Sequence, residues 1–99
     1  MTTQETSQTL PKQSILVVDD EKVVGISCRR ILEPEGHDVH VFDNPEAGLQ
    51  AALGGEFDIL LLDLMMPGLG GLEILQRVKE AGVGTEVVIV TGHSTVETA

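Results

Sequence analysis

The sequence predicts an α/β fold, a doubly wound parallel sheet with helices on both faces. Three observations predict it. Short apolar, β-branched runs recur along the 99 residues, each too short to be a helix. Between them lie amphipathic stretches with helical spacing. The connections are short, and right-handed crossovers then place helices on both sides of the sheet.

Each element has its own signal. Residues 1–13 are Thr- and Gln-rich with no apolar run, so a flexible leader is expected, not a signal peptide. Ser14-Ile15-Leu16-Val17-Val18 reads as a strand buried on both faces, stopped by Asp19-Asp20. Residues 21–33 read as a helix on Val24, Cys28, Ile31 and Leu32, weakened by Gly25 and stopped by Pro34-Glu35-Gly36. Residues 39–42 are shorter and more polar, as an edge strand would be. Asp43-Asn44-Pro45-Glu46 opens a second helix with a cap, a first-turn Pro and an acid. It runs to Leu53, and Gly54-Gly55 ends it. Ile59-Leu60-Leu61-Leu62 is a third buried strand, closed by Asp63. After a Pro/Gly-rich loop, Leu72, Ile74, Leu75 and Val78 outline a third helix that ends before Gly82. Residues 87–90 form a fourth strand, apolar on both faces. Ser94-Thr95-Val96-Glu97 has the form of a capping box, about one turn before Ala99. An apolar strand with nothing beyond it is an aggregation hazard. The chain is therefore expected to be a C-terminally shortened form of one longer domain, or to have that edge covered by a partner or second copy.

Composition narrows the function. Six Lys and Arg against sixteen Asp and Glu give a charge of −10, which argues against direct nucleic-acid contact and against anionic membranes. Apolar residues make up 41% of the chain, enough for a core, and its aromatics are only Phe42 and Phe57. The lone Cys28 forms no internal disulfide and reads as a small core residue. No run approaches a membrane span of about 20 residues. A soluble, cytoplasmic protein is expected.

In an open parallel sheet, ligands bind at the carboxyl ends of the strands. Asp19 and Asp20 follow the first strand, Asp63 the third and Thr91 the fourth. Three carboxylates on one rim repel each other unless a cation joins them. Oxygen donors without His or Cys suit a hard ion, and Mg²⁺ above others. Glu21 either extends this pocket or is a first-turn helix acid. His37 and His40 have poor geometry for one metal and read as surface residues; His93 reads as a loop residue.

These residues carry a resemblance. The run Ile15 to Glu21 with its Asp19-Asp20 pair, the D-x-x-M-P-x-x-x-G pattern at Asp63, Met66, Pro67 and Gly71, and Val87-Val88-Ile89-Val90-Thr91-Gly92 together resemble the receiver domain of two-component response regulators. The resemblance covers residues 14–99. Thr91-Gly92-His93-Ser94 looks most like receivers attached to enhancer-binding transcriptional activators. The resemblance implies a three-layer, flavodoxin-like sandwich of the CheY type, with the fifth strand and last helix missing. It implies that Asp63 accepts a phosphoryl group from a sensor histidine kinase or phosphotransfer protein. Asp20 then binds Mg²⁺ directly and Asp19 largely through water, with Asp63 itself and the backbone carbonyl of Met65 completing the metal site. Thr91 contacts the phosphoryl group and switches. An output domain beyond residue 99 is implied as well. Family members carry a Lys on the fifth strand, and Lys12, Lys22 and Lys79 do not match it. Mg²⁺ binding is therefore expected to survive better than phosphoryl transfer. Two other classes compete. One is a receiver-like interaction module without phosphorylation. The other is an Asp-nucleophile phosphatase, which would need an acid where Met65 stands.

Overall fold

The computed structural model describes residues 11–90. Its order is β1 (Ser14–Val18), α1 (Lys22–Leu32), a 3₁₀ turn (Glu33–Glu35), β2 (Asp38–Phe42), α2 (Pro45–Leu53), β3 (Ile59–Leu62), α3 (Gly71–Ala81) and β4 (Glu86–Ile89). The strands form one parallel sheet in the order β2-β1-β3-β4. The expected α/β architecture is present over these residues.

Alternation along the central strands makes the layers. Leu16 and Val18 of β1 share one core with Leu60 and Leu62 of β3, Leu49 and Ala52 of α2, and Ile74 and Val78 of α3. Ile15 and Val17 point the other way, where Cys28 and Leu32 of α1 pack beside Val39. Successive side chains of a strand face opposite sides, so β1 needs apolar residues throughout. Cys28 is a partly buried packing residue, as its helical spacing implied.

The boundaries show why some expectations shift. Glu21 is the N-cap of α1, and Pro34 lies in the 3₁₀ turn that follows. Gly36 at φ 97° closes that turn. Asn44 caps α2 by accepting from the N–H groups of Glu46 and Ala47 at 2.9 and 3.0 Å. Ile31 does not join the apolar face of α1; it is 67% exposed. Gly25 lies on the packed face instead, and a Cβ there would run into Val41. Leu72 is likewise 58% exposed, while Gly71 is buried. In both helices the glycine sets the closest approach and so the rotation. β4 starts at Glu86, one residue earlier than expected. Among the described residues it is an edge strand, with Val88 and Ile89 exposed, as expected of an apolar strand with nothing beyond it. The capping box at Ser94 lies outside the described residues.

Gly48 of α2 sits against β1 next to the acidic rim. A Cβ there would lie 2.7 Å from both methyls of Val18. Gly48→Ala is expected to destabilise the fold by about 1–3 kcal/mol, the usual range for overpacking. Combined with Val18→Ala, the loss should fall short of the sum of the single losses. Urea unfolding of the four proteins measures this coupling.

Candidate metal and phosphoryl-acceptor site

Strand register places the acids. Val18 of β1 stands beside Leu62 of β3, so the next residues, Asp19 and Asp63, leave the sheet together. Backbone bonds continue past the strand ends: Asp63 N–H donates to the Val18 carbonyl at 3.1 Å, and Asp19 N–H to the Phe42 carbonyl at 3.2 Å. Each aspartate then folds its following loop onto itself. Asp19 Oδ1 accepts the Glu21 N–H at 2.9 Å, and Asp63 Oδ1 accepts the Met65 N–H at 3.0 Å. This is the side-chain-to-backbone turn that aspartate favours.

Asp19, Asp20 and Asp63 each offer an oxygen within 4.8 Å of the others. Asp19 and Asp63 are buried and Asp20 is exposed. Burial is the first cause that pushes the Asp19 carboxyl above its ordinary value. The Glu21 N–H opposes the shift, and the charges of Asp63, Asp20 and Glu21 add to it. Lys22 lies beside this rim, but it is exposed and directed to Asp43 at 3.7 Å. Among the described residues no Lys, Arg or His forms an ion pair with any of the three acids. Three oxygen-donor carboxylates with no paired cation fit a hard divalent ion.

The sequence-predicted residues fare differently. Asp19, Asp20 and Asp63 converge as expected. Glu21 is exposed at the N-cap of α1 and makes no side-chain capping bond. Met65 has an exposed side chain, and its peptide flanks Asp63 through the N–H just described. Thr91 and His93 lie outside the described residues; Val90, the last described one, still donates to the Leu62 carbonyl at 2.8 Å. Gly71 was read as the closing glycine of the D-x-x-M-P-x-x-x-G pattern, and the structure gives it a positioning role. A Cβ on Gly71 would strike the Asp63 carbonyl oxygen and the Leu64 Cα. The start of α3 therefore rests directly on the backbone of the site. The fixed spacing of Gly71 from Asp63 in that pattern was the signal.

Residues 15–99 match the family model described as the response regulator receiver domain. The chain belongs to this family. The receiver is 37% identical over 87 residues to the uncharacterized transcriptional regulatory protein YkoG of Bacillus subtilis, covering 88% of this chain and 38% of that protein. It is similar to a CheY-like response regulator receiver domain protein from Methanospirillum hungatei, with a TM-score of 0.77 and 30% identity, covering 88% of this chain and 70% of that one. A chain from the crystal structure of histidine kinase ThkA in complex with response regulator protein TrrA matches with a TM-score of 0.73 and 30% identity, over 82% of this receiver and 70% of that chain. No helix among the receiver's described residues is long and apolar enough to cross a membrane.

The receiver's rim has a cost that can be measured. With its carboxyl raised in the folded state above its ordinary value, ionised Asp19 opposes folding. That opposition is full above the raised value and vanishes as pH falls below the unfolded one. Asp19→Asn is therefore expected to raise the Tm of the metal-free protein at pH 7, with a gain that shrinks toward zero in acid. Thermal unfolding in chelator across this pH range reads the sign.

Proposed function

We propose that this receiver takes a phosphoryl group onto Asp63 from a phosphohistidine of a sensor kinase or phosphotransfer protein. The carrying observation is the convergence of Asp19, Asp20 and Asp63 on one strand-end rim. An Asp63 oxygen attacks phosphorus in line. The N–P bond breaks, and the donor imidazole leaves with that electron pair and takes a proton from solvent. Met65 N–H holds Oδ1 of Asp63, which leaves Oδ2 as the attacking oxygen. Asp20, Asp19, Asp63 and the Met65 carbonyl would hold Mg²⁺. When bound, the ion neutralises charge on the phosphoryl oxygens and on the attacking carboxylate.

The product adds close to two negative charges at the rim. Thr91 is assigned, on the sequence resemblance, as the hydroxyl that donates to them and moves with them. The receiver then controls an output domain or partner; two of its relatives are named as transcriptional regulatory proteins. The chain spans 38% and 43% of those two proteins. We assign it no turnover of other substrates, no nucleic-acid contact of its own, and a cytoplasmic location.

Incubation with a small phosphodonor or a phosphorylated kinase is expected to add one acid-stable, base-labile phosphoryl group. Asp63→Asn should abolish it and chelation of divalent ions should suppress it. Labelling that survives Asp63→Asn would defeat the assignment, and sustained hydrolysis of phosphate esters would favour a phosphatase. Asp20→Asn is expected to weaken Mg²⁺ binding by about tenfold or more, through loss of one charged ligand. Calorimetry against wild type and Asp63→Asn reads this.

A further inference from the structure

The amino-terminal end of the sheet, opposite the acidic rim, carries a contact that phosphoryl transfer does not use. His37 is half-buried between the 3₁₀ turn and β2. The backbone N–H of Gln13 donates to its Nδ1 at 3.1 Å. The Gln13 carbonyl meanwhile accepts the Asp38 N–H at 2.9 Å, as the first rung of the β1–β2 ladder. Continued regularly, a parallel ladder would send the Gln13 N–H to the Gly36 carbonyl. The backbone turns at Gly36, where φ is 97°, and the imidazole receives that N–H instead. An N–H can only donate, so Nδ1 is the bare nitrogen and the ring proton sits on Nε2.

We propose that His37 is a proton-operated latch on the Gln13 N–H, a second tie between the segment that enters β1 and the start of β2 that opens when the ring becomes doubly protonated, while the Gln13 carbonyl keeps its bond to Asp38. The imidazolium has donors at both nitrogens and no acceptor, so the Gln13 bond cannot survive the proton. Histidine is the side chain suited to this near neutral pH. Pro11 and Lys12 are exposed, and the remaining amide tie of this segment, Ser14 N–H to Asp58 Oδ2 at 2.8 Å, belongs to the β3 side.

Charged groups on the elements meeting at His37 are largely committed. Asp38 of β2 pairs with His40 at 3.1 Å, and the His40 ring sits edge-on to Phe57 at 5.3 Å. Glu33 of the 3₁₀ turn pairs with Arg29 of α1 at 2.8 Å. Asp58 accepts from Ser14. Arg30, Glu35 and Lys12 are exposed. The latch lies at the end of the sheet opposite Asp63, and it requires neither metal nor phosphoryl group.

The test is an NMR titration of the 99-residue chain between about pH 5 and 8. It follows the Gln13 amide, the two histidine rings and amide-exchange protection factors. The Gln13 amide proton is expected to move upfield in a single step that coincides with the His37 ring. Its protection should fall about tenfold, the order expected for one net hydrogen bond. His37→Asn, which keeps an acceptor but does not titrate, should flatten the Gln13 step. His40→Gln should leave it in place. A Gln13 amide that stays constant while the wild-type His37 ring titrates, or that follows His40 instead, overturns the proposal without reliance on any variant.

Discussion

The adjacency of β1 and β3 in parallel register is the constraint from which the rest follows. Val18 opposite Leu62 puts two aspartates side by side at the same strand ends. A slip of one residue would turn one of them to the other face of the sheet. Register is held by burial on both faces of β1, where Ile15, Leu16, Val17 and Val18 are all withdrawn from water. Apolar packing therefore enforces a juxtaposition of charge that electrostatics alone would undo.

The site is tense for that reason. Asp19 and Asp63 spend one oxygen each on a loop N–H, which shapes the loops and partly offsets desolvation. Those bonds leave the mutual repulsion in place. A rim of this kind is responsive to whatever positive charge reaches it.

Much of this was legible in the residues. Apolar runs closed by acids gave strands whose carboxyl ends hold the site, and topology then brought the acids together without any need to know side-chain contacts. Asp43-Asn44 before Pro45 marked a helix start, and the hydrogen bonds pick Asn44 over Asp43 as its cap. Helix rotation was less legible. Ile31 and Leu72 satisfy an apolar spacing yet face water, because Gly25 and Gly71 let the backbone approach where a larger residue could not. Hydrophobicity counts side chains and is blind to the absence of one. The role of His37 was hidden for a related reason: its partner is a main-chain group, which has no letter of its own in the sequence. Thr91 rests on the resemblance alone.

The seat of α3 on the peptide after Asp63 has a mechanical corollary. Contact there is main chain on main chain, so no flexible rotamer lies between them to cushion a displacement. A shift of the Asp63 carbonyl would therefore press on the first turn of the helix with no side chain between them. Eleven residues of helix at about 1.5 Å each make a lever arm. A tilt too small to notice at Gly71 arrives amplified at Ala81, on the far side of the molecule from the acids.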